Sequence, residues 1–216
     1  MRIRKIVIAG LALVSVLFYV AAYAEDLKPI KLLPPNMDGG KPLMQALKER
    51  RTEREYSQKE LPSQVLSDLL WAARGINRQD TGKLTSPTAK NMQEIDLYVA
   101  MADGLYLYDA KKNTLEPVLK GDIRGLTGKQ DFVKDAPVNL IFVADLAKMS
   151  GMASEDAKFY AATDTGYVSQ NEYLFCASED LATVARGWVD RPALAKAMKL
   201  RPDQMIVLAQ TVGYKK

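Results

Sequence analysis

Apolar positions along the chain fall into two spacings, and the alternation between them predicts a mixed helix and strand protein. After an irregular lead-in, residues 32–39, whose prolines and Asp-Gly pair deny it helix or central strand, a helix is expected over residues 42–51 with Leu43, Met44 and Leu47 on one face. Leu61-Pro62-Ser63 opens a second, with Pro62 in its first turn. Val65, Leu66, Leu69, Leu70 and Ala73 form its stripe, and Gly75 ends it. Residues 77–91 are polar and read as a loop. Residues 95–101 then alternate, with Ile95, Leu97 and Val99 against Asp96, Tyr98 and Ala100. Ala102-Asp103-Gly104 turns the chain into a return strand at 105–108. Residues 138–144 are almost continuously apolar, as a strand buried on both faces requires. A long helix is expected over 155–182. Its Tyr160, Ala161, Tyr167, Val168, Leu174 and Ala177 leave apolar surface on more than one side, which suits a central or interface helix. A short helix at 191–199, with Pro192 early in it, and a buried strand at 205–212 complete an α+β fold of long helices on an antiparallel or mixed sheet.

The first apolar run is of another kind. Arg2, Arg4 and Lys5 precede an apolar segment from Ile6 to Val20, and Ala22-Tyr23-Ala24 follows. This is the layout of a signal peptide cleaved after Ala24, which makes residues 25–216 a single domain and Glu25 its first residue. An uncleaved membrane anchor is the alternative, since the run approaches spanning length. Export implies a periplasmic protein. Arg2, Arg4 and Lys5 leave with the segment, taking the net charge from +4 to +1, so the electrostatic argument for nucleic-acid binding goes with them.

Composition removes most reaction chemistries. The chain has no histidine, hence no Ser-His-Asp triad, Cys-His pair or imidazole base. Its one cysteine, Cys176, cannot form an intrachain disulfide or a thiolate-rich zinc site, and its neighbours Leu174, Phe175 and Ala177 mark it as a core thiol. No catalytic side chain and no metal-ligand set stands out. A chain so poor in reactive groups is a candidate for a borrowed cofactor.

Three polar clusters carry candidate chemistry. Arg50-Arg51-Thr52-Glu53-Arg54 is the densest cationic group of the mature chain, and guanidinium forks beside a hydroxyl suit a phosphate monoester. A solvated helix end is the alternative. Ser86-Pro87-Thr88-Ala89-Lys90-Asn91-Met92-Gln93 offers hydroxyls and amides that can read the edge of a planar heterocycle, or form an ordinary polar loop. In Thr183-Val184-Ala185-Arg186-Gly187-Trp188, a glycine after an extended stretch permits close backbone approach to a ligand, or simply a turn.

Together these segments resemble one family. Arg-Arg-Thr-x-Arg-x-Tyr at residues 50–56 is similar to the Arg-Arg-Ser-x-Arg-x-Phe opening of the nitroreductase family of FMN-dependent oxidoreductases. The Ser-Pro-x-x-x-Asn-x-Gln loop precedes the first long strand, as in that family. Residues 166–171 with 181–184 resemble its long central helix and flavin-facing turn, and Gly213-Tyr214 its closing pair. The resemblance spans residues 40–214 and looks nearest to the branch of azoline-oxidising (thiazole/oxazole) dehydrogenases. It implies a three-layer, mostly antiparallel sheet flanked by helices, with the long helix at the interface of a homodimer. It also implies that FMN sits between the subunits and passes electrons in a ping-pong cycle between small-molecule or redox-protein partners. Arg50, Arg51, Thr52 and Arg54 would then bind the FMN phosphate, ribityl chain and flavin edge. Pro87, Thr88, Asn91 and Gln93 would come from the other subunit, Gln130 would approach the isoalloxazine, and Gly187 would face flavin N5. Lys215, with Lys216, would reach the phosphate. Gln93-Glu94-Ile95 stands where many members have Gln-Pro-Trp, a departure on the substrate side. A dimeric module that holds flavin or a nucleotide without turnover is the competing functional class.

Overall fold

In the computed structural model, residues 27–216 are described; the segment expected to be a signal peptide lies outside them. A seven-stranded sheet of strands β1 (Ile30–Lys31), β4 (Ile95–Ala100), β5 (Gly104–Asp109), β6 (Thr114–Lys120), β7 (Val138–Asp145), β8 (Leu181–Arg186) and β9 (Gln204–Tyr214) forms the middle layer, in the order β1-β6-β5-β4-β7-β9-β8. Every pairing within it is antiparallel. Helices α1 (Leu43–Glu49), α2 (Ser63–Arg74), α3 (Ser154–Ser178) and α4 (Arg191–Ala197) flank it, and β2 (Ile76–Arg78) with β3 (Lys83–Leu84) makes a separate hairpin.

The continuous apolar run becomes β7, buried along its whole length and paired with β4 on one side and β9 on the other. Burial on both faces needs a core on each. Leu97, Val99, Leu140 and Phe142 meet Leu66, Leu69, Leu70 and Val168 on the α2–α3 side. Tyr98, Ala100, Ile141 and Val143 meet Leu194 and Met198 of α4 on the other. The period of two in the strands thus divides side chains between two cores and gives three layers.

The structure departs from the sequence-based expectations in four places. The helix expected over 155–182 ends at Ser178, because Asp180 takes a left-handed conformation (φ 56°), and Leu181-Ala182 belong to β8. Residues 114–120 form a strand the pattern did not announce, since Pro117 argues against one. β1 pairs only with Thr114 and Leu115, so Pro117 lies where the outer edge is open and a missing N–H is tolerated. The polar stretch after α2 contains the β2–β3 hairpin, turned through Gly82 (φ 63°). On α1, Leu43, Met44 and Leu47 do share a face, but that face is exposed and only Ala46 is buried.

Candidate functional site

The cationic cluster leaves the end of α1 as an extended segment laid against the sheet. Arg50 N–H closes the helix on Ala46 O at 2.8 Å, Glu53 N–H donates to Thr183 O at 2.9 Å, and Ser57 N–H donates to Tyr214 O at 2.9 Å. Tyr56 bridges to Lys215. Residues far apart in sequence therefore share one cleft of about 360 Å³, whose lining includes Arg50, Arg51, Tyr173, Asp180, Thr183 and Lys215.

Charges in this cleft are not equivalent. Asp180 and Glu49 are both held by Lys41 at 2.8 Å, and those hydrogen bonds keep both carboxyls below their usual range. Arg51 pairs with Glu53. Lys215 lies 3.7 Å from Asp180. Arg50 has no carboxylate partner among the described residues; its guanidinium stands over the Tyr173 ring, 5.2 Å from the centroid. Its hydrogen-bonding capacity is left for a ligand.

Tyr173 joins the segment to β8. Its hydroxyl accepts from Ala185 N–H at 2.9 Å, so its one hydrogen is free for Thr52 Oγ1 at 3.2 Å. Either hydroxyl can be the donor between them. Arg54 is exposed along the same segment. Tyr173 is the residue the sequence reading missed. Its signal was faint: a tyrosine four residues before Ala177 on a helix already crowded with aromatics.

A second group gathers at the far end of β8. Lys129 N–H donates to Trp188 O at 3.0 Å, which ties the Gln130 loop to the Gly187 turn. Gln130 Oε1 is buried without a hydrogen-bond partner, an acceptor awaiting a donor. Gly187 is exposed, and a Cβ placed there meets only Leu208 Cδ2, at 3.8 Å. Beneath both lies Arg186, buried, donating to Thr127 O (2.6 Å), Asn139 Oδ1 (2.9 Å) and Thr211 Oγ1 (3.0 Å).

The loop carrying Pro87, Thr88, Asn91 and Gln93 is elsewhere. Ala89 N–H donates to Asp164 Oδ2 at 2.8 Å, in the N-terminal half of α3. Asp164 and Ala177 are separated by roughly 20 Å along that helix at the usual rise. One chain therefore does not bring this loop to its own Arg50 cleft. Within the loop, Gln93 N–H donates to Thr88 Oγ1 at 3.0 Å and Gln93 Nε2 to Gly82 O at 3.0 Å, so these two side chains also hold the loop's own shape.

The donor set fits a flavin mononucleotide: Arg50, without a carboxylate partner among the described residues, and Lys215 for a phosphate, Thr52 for a hydroxylated chain, an orphaned acceptor at Gln130 for a ring N–H, and open backbone at Gly187. The described residues contain no cluster of metal-ligating side chains, and none of their helices is long and apolar enough to cross a membrane.

Comparison with known proteins identifies the family. Residues 47–214 match the model of the nitroreductase family. A crystal structure assigned as a nitroreductase from Ralstonia eutropha JMP134 is 41% identical, covers 88% of this chain and 90% of that one, and superposes with a TM-score of 0.84. A nitroreductase-assigned protein of Methanocaldococcus jannaschii is 26% identical over 77% of this chain and 88% of its own length. The fold is also that of a Desulfovibrio desulfuricans protein solved in complex with FMN, at 21% identity and TM-score 0.59, over 81% of this chain and 87% of that one.

Proposed function

The chain belongs to the nitroreductase family of oxidoreductases, and on that premise we propose that it is an FMN-dependent enzyme acting as a homodimer. The convergence of Arg50, Arg51 and Lys215 in one cleft, with Thr52 held against the Tyr173 wall of that cleft, carries this reading. Arg50 and Lys215 would hold the phosphate, with Arg51 and Arg54 at the exposed rim. Thr52, oriented by the Tyr173 hydroxyl, would donate to the ribityl chain. Gln130 Oε1 would accept from the ring edge, and Gly187 lets backbone approach N5 where a side chain would intrude. When bound, FMN supplies two-electron redox chemistry at N5, with donor and acceptor visiting in turn.

The homodimer is supported by where the loop of Pro87, Thr88, Asn91 and Gln93 falls. Too far along α3 to serve its own cleft, it is placed to serve a partner's. The outward aromatics of α3, described below, supply an apolar face for such a partner. On its sequence motifs we place the chain beside the azoline-oxidising branch, exported to the periplasm, with an electron donor other than a nicotinamide.

Arg50→Ala tests the assignment. A partly buried, charge-assisted hydrogen bond contributes about 1.5–3 kcal/mol, so FMN affinity should fall roughly 10- to 150-fold. Titration of the apoprotein by flavin fluorescence measures this; unaltered affinity would remove Arg50 from the phosphate site and the central support of the reading.

A further inference from the structure

Three charged side chains are buried together behind the Thr88–Gln93 loop, outside the Arg50 cleft. Arg74 comes from the last turn of α2, Asp164 from α3, and Glu94 from the residue that joins the loop to β4. Each touches the loop or its hinge. Arg74 Nη2 donates to Gln93 O at 2.6 Å, and Asp164 Oδ2 accepts from Ala89 N–H at 2.8 Å. Glu94 O accepts from Asp145 N–H at 2.9 Å, which fixes its backbone to β7 while the residue before it belongs to the loop. The Glu94 side chain is wholly buried, and neither carboxyl oxygen has a hydrogen-bond partner.

The loop thus anchored is unusual in its backbone. Lys90, Asn91 and Gln93 all lie in the left-handed region, with φ of 51°, 55° and 51°. For residues with a Cβ this conformation persists only where the surroundings hold it. The surrounding charges are few: Arg74 from α2, Asp164 from α3, Asp96 on β4, and Lys148 from the turn after β7. Lys148 reaches Gln93 O at 3.4 Å and Asp96 Oδ1 at 2.6 Å. With Glu94 neutral, the buried guanidinium and the Asp164 carboxylate balance. With Glu94 ionised, a second buried carboxylate shares their space, countered only by its own backbone and the Arg74 charge, and admitting water by loosening the loop relieves it.

We propose that Glu94 is a positioning residue for the flavin-contacting loop: its protonation closes the loop over the partner subunit's cofactor, and its ionisation loosens it. The proposal rests on the assignment of that loop to FMN binding made above. Burial first pushes the Glu94 carboxyl up, its own backbone N–H pulls it back, and then the neighbouring Asp164 carboxylate raises it against the weaker pull of Arg74, leaving it at about 7. The change therefore falls in the neutral range. A carboxyl raised from 4.5 to about 7 keeps its proton longer in the native state, so native stability falls as pH climbs through that window and levels off above it. Lower pH should tighten the loop and the flavin with it.

The test is FMN titration of the dimeric apoprotein across neutral pH, for the unaltered chain, Glu94→Gln and Asp164→Asn. FMN's own phosphate titration is common to all three and cancels between them. The unaltered chain should lose roughly tenfold in affinity from about pH 6 to about pH 8, while Glu94→Gln keeps the tighter affinity throughout. Asp164→Asn, which removes the neighbouring negative charge, should move the transition to lower pH. A purely structural role for Glu94 would weaken Glu94→Gln equally at every pH. Parallel profiles for Glu94→Gln and the unaltered chain, with FMN still bound, overturn this proposal and leave the FMN assignment standing. Absence of FMN binding by every protein at every pH overturns both. Thermal unfolding of the apoprotein gives a flavin-free readout: the fall in midpoint with rising pH should flatten in Glu94→Gln, and an unflattened slope counts against the proposal.

Discussion

Arg186 and Glu172 are both buried without an ion-pair partner among the described residues, and the two are treated differently by their surroundings. Arg186 is hydrogen-bonded on every nitrogen, so although burial draws its guanidinium down to about 10 it stays charged at neutral pH. Neither oxygen of Glu172 has a hydrogen bond, and burial holds its carboxyl well above the usual range, so it is carried neutral. Arg186 also explains a glycine: a Cβ on Gly128 would fall 1.9 Å from Arg186 Nη1. Gly187, one residue on, is the opposite case, because nothing in the chain itself forbids a methyl there. Gly187→Ala should leave the apoprotein's thermal midpoint nearly unchanged and still weaken FMN binding, since only the ligand needs the space. Equal affinity for the two proteins, measured by flavin titration, would show that the turn does not face the ring. Gly187 is legible in the sequence as a point of close backbone approach; the space that Arg186 denies at Gly128 is not, because the two lie far apart in the chain.

Along α3, the usual arrangement of a helix on a sheet is inverted. Its buried positions include Asp164, Thr165, Ser169 and Glu172, while Phe159 (66% exposed), Tyr160 (38%) and Tyr167 (47%) face outward. Two of these polar groups are answered: Ser169 Oγ donates to Gln210 Oε1 of the sheet at 2.6 Å, and Asp164 accepts from the Ala89 N–H. The exposed aromatics have no such answer within one chain, and large apolar side chains turned outward together mark an interface. Phe159→Glu should shift the protein from dimer to monomer and reduce FMN occupancy with it. Sedimentation velocity together with the flavin-to-protein absorbance ratio measures both; an intact dimer would place the interface elsewhere. The helix was foreseen because its apolar residues fell on several sides, but which side faced the sheet was not, since periodicity cannot tell a core face from an interface face. Its end was also misjudged. Leu181 and Ala182 suit helix and strand alike, and the left-handed Asp180 decided the matter.

For the whole molecule, the absence of histidine excludes imidazole chemistry, and the proposed FMN site puts arginines, hydroxyls and backbone in its place. The expectation of export predicts that the mature protein recovered from the periplasm begins at Glu25, which intact-protein mass spectrometry would read as loss of residues 1–24. A chain retaining Arg2, Arg4 and Lys5 would instead be a tethered one. Local pattern alone determined the α+β class, the central position of 138–144, α2 with its stripe and its Gly75 end, and the motif segments at residues 50–56 and 86–93. Each of these depends on near neighbours in sequence, where side-chain spacing and backbone preference act directly. Tertiary structure decided which segments meet. Lys215 reaches the Arg50 cleft because β9 runs beside β8, and Tyr173 orients Thr52 because α3 lies across both. The loop of Thr88 and Gln93 stands away from its own cleft because Asp164 holds it near the other end of α3. Such proximities follow from strand order and helix packing, long-range choices settled by burial of the two cores, and no short stretch of sequence carries them.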